Sequence, residues 1–126
     1  MTELTTTAYE TLLADYLAFW NEPDAAVRAT IADRTFTPDV SYVDPQAEVS
    51  GRAALSDLVG AVHQQLPGMR FTPAELVDGH HDVLRFGWNL GPEGAEDLIV
   101  GADVAVLAAE GRMSHVVGFL DRVPQT

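Results

Sequence analysis

The chain has no cysteine, which excludes a disulfide framework, a thiolate nucleophile and any cysteine-ligated zinc or iron site. Basic residues are scarce: seven Lys and Arg stand against nineteen Asp and Glu, a formal charge of −12. Such a field repels phosphate backbones and anionic bilayers, so neither nucleic acid nor a membrane is expected as a partner. It also disfavours phosphorylated or polycarboxylate substrates and leaves a neutral or cationic small molecule as the easier ligand. No apolar run approaches the roughly 18 to 20 residues that span a bilayer. The opening Met1-Thr2-Glu3-Leu4-Thr5 has no basic region ahead of an apolar one, so a cytoplasmic location is expected. A Gly-rich phosphate loop and a Gly-x-Ser-x-Gly elbow are both absent, and the serines at 41, 50, 56 and 114 lie in no nucleophile context. There is no repeat and no low-complexity segment.

What the chain does have is apolar patterning. At 126 residues and 47% hydrophobic, residues 1–126 make one domain with a real core. Tyr9, Leu12, Leu13, Tyr16, Leu17 and Trp20 recur at three- and four-residue spacing and predict a helix over Ala8 to Trp20, capped by Thr5, Thr6 or Thr7. Tyr16 sits mid-stripe, so its hydroxyl enters the interior and needs a partner. Asn21 to Asp24 breaks this helix and starts a second, with Pro23 in its first turn, running through Val27 and Ile31 to near Arg34. A short strand from Val40 to Val43 ends at Asp44-Pro45. Ser50 then caps a third helix with Leu55, Leu58, Val59, Val62 and Leu66 buried, closed by Pro67-Gly68.

From Met69 the period becomes two. Met69 to Val77 carries Pro73 and is therefore bulged or at an edge. Val83 to Leu90 puts Leu84, Phe86, Trp88 and Leu90 on one face, and Met113 to Leu120 closes the set. The stretch from Asp97 to Leu107 is apolar on both faces and should be covered on both sides, with one carboxylate, Asp103, inside it. That carboxylate must be paired, hydrogen-bonded or neutral. Its same-face neighbours Gly101 and Ala105 are small and leave space over it, although a buried structural Asp explains the residue equally well. Three helices and a mainly antiparallel meander give an α+β fold.

Few residues can carry chemistry here. His80-His81-Asp82 offers ligand-type side chains, but neighbours on an extended chain point apart and no second cluster completes a set, so no metal is expected. His63 lies one position from its helix stripe and reads as a flanking or solvated histidine, not a ligand. Tyr16, Asp44 and Asp103 remain, all predicted to face inward. An ionised Asp can act as base while a neutral Asp and a phenol donate to an oxyanion. Asp103, mid-strand, should be the more desolvated and keep its proton; Asp44, at a strand end, is then the base. As a turn residue before proline, Asp44 alone carries little weight.

Tyr16-Leu17-Ala18-Phe19-Trp20-Asn21, Tyr42-Val43-Asp44-Pro45, Gly51-Arg52-Ala53-Ala54-Leu55, Gly101-Ala102-Asp103 and Glu110-Gly111-Arg112-Met113 resemble the nuclear transport factor 2-like superfamily in its SnoaL-like, ketosteroid-isomerase-like branch. The resemblance runs from Tyr9 to Val123. It implies a strongly curved sheet wrapped on three N-terminal helices around a cone-shaped cavity, with no cofactor, and a homodimer formed through the outer sheet face. It also implies Asp44 as general base and Tyr16 with Asp103 as oxyanion donors. Tyr42, Phe86, Trp88, Val116 and Leu120 are the expected substrate-binding walls. The tyrosines that back the catalytic tyrosine of the isomerases are missing: Val59 stands at one such position, and no tyrosine lies between Asp24 and Asp39. An epoxide-hydrolase-like site would alternate Arg and Asp, but Gly87 follows Arg85 at plus two. A polyketide-cyclase-like His-Asp pair could use Asp103 with His81 or His115.

The expected function is acid-base catalysis of isomerase, cyclase or lyase type on a neutral, apolar, ketone-like substrate, cyclic in form, through an enolate. The alternative is a non-catalytic ligand-binding or assembly module of the same fold.

Overall fold

The computed structural model describes residues 6–95 and 98–123; the side chains of Thr6, Thr7, Glu75 and Leu76 are outside the description. Thr5 as a cap and Asp97 as the start of the central strand therefore lie outside the described residues or their side chains, as do the Thr6 and Thr7 hydroxyls. The first helix, α1 (Thr6–Asn21), buries Leu12, Tyr16, Leu17 and Trp20 as its stripe requires. Phe19 is fully buried as well, so the covered face is broader than the stripe.

Pro23 does not start the second helix. Asp24 is the N-cap, its Oδ1 accepting from the backbone amides of Ala26 at 2.8 Å and Val27 at 3.1 Å, and α2 is Ala25–Thr35. The α1–α2 corner is held by Arg28, a buried guanidinium that donates to the Glu22 carbonyl at 2.8 Å and to Ser56 Oγ at 2.9 Å.

The first strand, β1 (Phe36–Asp44), starts four residues earlier than its alternation suggests. A second strand that the sequence did not announce, β2 (Ala47–Ser50), pairs back on it. Ser50 belongs to β2 and caps nothing. Gly51, at φ +89°, occupies the N-cap of α3 (Arg52–Gln65) without a side-chain bond, its amide donating to the Val40 carbonyl at 2.7 Å. The left-handed φ is why glycine serves there. His63 is tied to α1 through Nε2 and the Trp20 carbonyl, 2.8 Å apart.

Four long strands follow: β3 (Met69–His80), β4 (Val83–Pro92), β5 (Ile99–Leu107) and β6 (Met113–Arg122). The described residues form one curved, open, mixed sheet of order β2-β1-β6-β5-β4-β3, in which β1 and β6 are parallel and every other pair antiparallel. As Pro73 demands, β3 is both an edge strand and irregular, its register shifting between Pro73 and Val77.

The helices cover one face of the sheet, and that corrects the reading of β5. Gly101, Asp103, Ala105 and Leu107 are buried on the inner face, while Val100, Ala102, Val104 and Val106 are only half-buried on the outer one. Val77, Val117 and Phe119 are exposed, Phe119 at 52%. None of the described helices is long and apolar enough to cross a membrane.

Candidate functional site

Asp103 lies opposite Phe86 on β4 and Gly118 on β6, with 3% of its surface exposed. Its carboxylate has two protein partners. Tyr16, mid-way along α1, donates its hydroxyl to Oδ2 at 2.5 Å, and Trp88 donates its indole N–H to Oδ1 at 3.0 Å. The tyrosine is held by ring contacts: Phe86 at 5.1 Å and Phe36 at 6.0 Å both meet it edge to face.

The small residue at 101 does not leave empty space over Asp103. Trp88 and Gly101 are cross-strand partners, and a Cβ on Gly101 would stand 2.2 Å from the indole ring. The missing side chain is the seat of the indole, which is how Trp88 lies along the sheet and reaches the carboxylate.

Asp44 ends β1 on the same face as Tyr42, and the phenol donates to its Oδ2 at 2.7 Å. Its Oδ1 accepts the amides of Gln46 and Ala47, each at 2.8 Å, which builds the β1–β2 turn. The turn reading and the inward-facing reading of this residue are therefore both true. Gly118 joins the two halves of the site: a Cβ there would lie 2.9 Å from Asp103 Oδ1 and 3.3 Å from Asp44 Cβ. With only hydrogens at that Cα, β6 passes between the two carboxylates.

Burial pushes the Asp103 carboxyl up to about 6, with the neighbouring Asp44 adding to the rise and the Tyr16 and Trp88 bonds opposing it. Burial, followed by the charge of Asp103, also raises both Tyr16 and Tyr42, so both phenols stay neutral. The hydroxyl of Tyr16 has two possible orientations. When Asp103 is ionised, that hydroxyl is spent on it; when Asp103 is neutral, its own proton can go to the Tyr16 oxygen and free the phenol to donate elsewhere. The Asp103 carboxyl therefore faces Tyr16 and Trp88 and does not stand free beside them.

These groups open on one cavity of about 300 Å³, walled by Leu17, Trp20, Phe71, Leu90, Ile99 and Leu120 among others, with Gln46 and Gln65 also on its lining. Tyr42, Trp88 and Leu120 line it as expected. Phe86 and Val116 do not; at 2% and 1% exposure they are core residues behind the wall, Phe86 against Tyr16. Sequence reasoning passed over Trp20, Phe71 and Gly118 as site residues. Trp20 was visible as a stripe residue four after Tyr16, but nothing in the sequence tells a wall from a core position. No cation is found among the described lining residues, and no group of three or more potential metal ligands occurs among the described residues. The histidines lie elsewhere: His80 and His81 touch each other at the β3–β4 turn, and His115 pairs with Ser41 Oγ at 3.1 Å at an exposed position.

Helices on the concave side of a curved sheet, with polar groups at the bottom of an apolar cavity, define a cavity protein of the nuclear transport factor 2-like architecture. The SnoaL-like domain model matches residues 13–116, and the chain belongs to that family. A SnoaL-like family protein from Agrobacterium tumefaciens, described as a proposed isomerase, is 37% identical over 92% of this chain and 99% of its own, with a TM-score of 0.87. TsrD from Streptomyces laurentii shares the fold at 14% identity, covering 94% of this chain and 92% of its own, TM-score 0.73. So does a proposed SnoaL-like polyketide cyclase from Jannaschia sp. CCS1, at 16% identity over 96% and 92%, TM-score 0.68. No curated protein matches.

Proposed function

We propose that the cavity performs proton transfer next to the carbonyl of an uncharged, mostly apolar, cyclic ketone-like substrate, through an enolate. Asp44 takes the proton, and Tyr16, backed by Asp103, donates to the enolate oxygen. The observation that supports this best is the placement of two differently held carboxylates against one glycine at the wall of an apolar cavity. One has its pKa raised to about 6 by burial, so that it holds its proton in mildly acidic solution; the other is bound to backbone amides and a phenol. A cavity of about 300 Å³ lies at the small end of ligand pockets and suits one or two rings. The test is hydrogen–deuterium exchange and isomerisation of small β,γ-unsaturated cyclic ketones by the wild type and Asp44→Asn. Loss of turnover with stability nearly unchanged supports the base. Turnover that survives Asp44→Asn overturns it.

A second reading is a non-catalytic ligand-binding module, favoured by the fact that both Asp44 oxygens already have protein partners. It predicts that Asp44→Asn loosens the β1–β2 turn and lowers stability, with no ketone turned over by either form. In both readings the protein is proposed to be a homodimer, because Val117 and Phe119 expose apolar surface on the outer sheet face beside their half-buried cross-strand partners Val104 and Ala102. A monomer in sedimentation equilibrium at micromolar concentration would contradict this.

A further inference from the structure

Asp103 cannot serve as a free-standing donor to a ligand, because Oδ1 takes the Trp88 N–H and Oδ2 faces the Tyr16 hydroxyl. An oxyanion at the cavity end of Tyr16 then has a single donor, where two are the usual provision. The second tryptophan of the wall supplies what is missing.

Trp20 stands one helical turn after Tyr16 on the same face of α1, their rings 6.4 Å apart. It lines the cavity and is 6% exposed. Of the two cavity tryptophans, Trp88 has an acceptor for its N–H and Trp20 has none: Trp20 Nε1 is buried without a hydrogen-bond partner. A buried N–H left unpaired is destabilising, a cost that an incoming acceptor relieves. Its ring is wedged between Tyr42 at 5.6 Å and Phe71 at 5.4 Å, so it is held in place beside Tyr16.

We propose that the Trp20 indole N–H is a ligand-binding donor which, together with the Tyr16 hydroxyl, forms a two-donor site for one oxygen of the substrate. This rests on reading the cavity as an oxyanion site. The pair lies on a single helix, so its spacing is set by α1 and not by the sheet.

The chain has two tryptophans, so a 15N-labelled sample gives two indole N–H signals, assigned with Trp20→Phe and Trp88→Phe. The probes are 2-naphthol and its oxygen-free isostere 2-methylnaphthalene. The Trp20 signal is expected to move downfield with 2-naphthol and not with 2-methylnaphthalene. Trp20→Phe, which keeps a ring in the wall, should bind 2-naphthol about tenfold or more weakly and 2-methylnaphthalene unchanged. Binding of 2-naphthol that leaves the Trp20 signal as it is with 2-methylnaphthalene, or that is equally tight in Trp20→Phe, overturns the assignment of Trp20 alone. If 2-naphthol binds and moves the Trp20 signal but stays neutral in the complex, the donor stands and the enolate reading falls. Failure of 2-naphthol to bind overturns both.

Discussion

Replacing Asp103 with Asn tests the electrostatics of the site without reference to any substrate. The amide can accept the Trp88 N–H through its oxygen and donate to the Tyr16 oxygen through its nitrogen, so Asp103→Asn copies the neutral acid. In the wild type the carboxyl is raised from 3.8 to about 6 in the folded state. Between those two values the folded protein binds more protons at this position than the unfolded chain, so its contribution to stability is complete below pH 3.8 and is lost as pH rises through 6. A shift of that size corresponds to about 3 kcal/mol. Urea denaturation of both proteins between pH 4 and pH 8 isolates this group, because the other carboxylates titrate alike in the two. The variant should gain on the wild type by up to about 3 kcal/mol between pH 4 and pH 7, with the two stability curves diverging through the window that ends near pH 6. Parallel curves would refute the reasoning, since they would mean that Asp103 titrates as it does in the unfolded chain.

Four further outcomes follow from the same contacts. Trp88→Phe removes a bond that holds the Asp103 pKa down, so its titration should move above 6, read from the pH dependence of naphtholate binding. In the wild type that binding should weaken as pH rises through about 6, because an ionised Asp103 claims the Tyr16 hydroxyl; binding that strengthens with pH would contradict the Tyr16 orientation. Gly118→Ala places a methyl 2.9 Å from Asp103 Oδ1 and should cost about 1–3 kcal/mol in thermal or urea unfolding while weakening ligand binding. Asp24→Ala removes the α2 cap and should cost about 1 kcal/mol without affecting the cavity.

The periodic elements were legible because each reports on its own face. The alternation of β4 buries Leu84, Phe86, Trp88 and Leu90, and the α1 and α3 stripes turn to the core with Leu12, Tyr16, Leu17, Trp20, Leu55 and Val59 buried and Tyr9, Leu13, Leu58, Val62 and Leu66 half-buried; the α+β class follows from such patterns. The short β2, the true caps at Asp24 and Gly51 and the early start of β1 were not legible, because each depends on a backbone partner elsewhere in the chain or on a local φ that composition does not encode. The site shows the same division. That Asp103 had to be satisfied could be argued from burial, yet its partners could not be named, since Tyr16 and Trp88 reach it from a helix and from the neighbouring strand. Gly101 looked like open space and is the seat of an indole; Gly118 looked like nothing and separates two carboxylates. Hydrophobic period is a property of a segment, and the sequence alone determined which faces turn inward. Which inward side chains meet is a property of register and curvature, and those came only with the assembled, curved sheet.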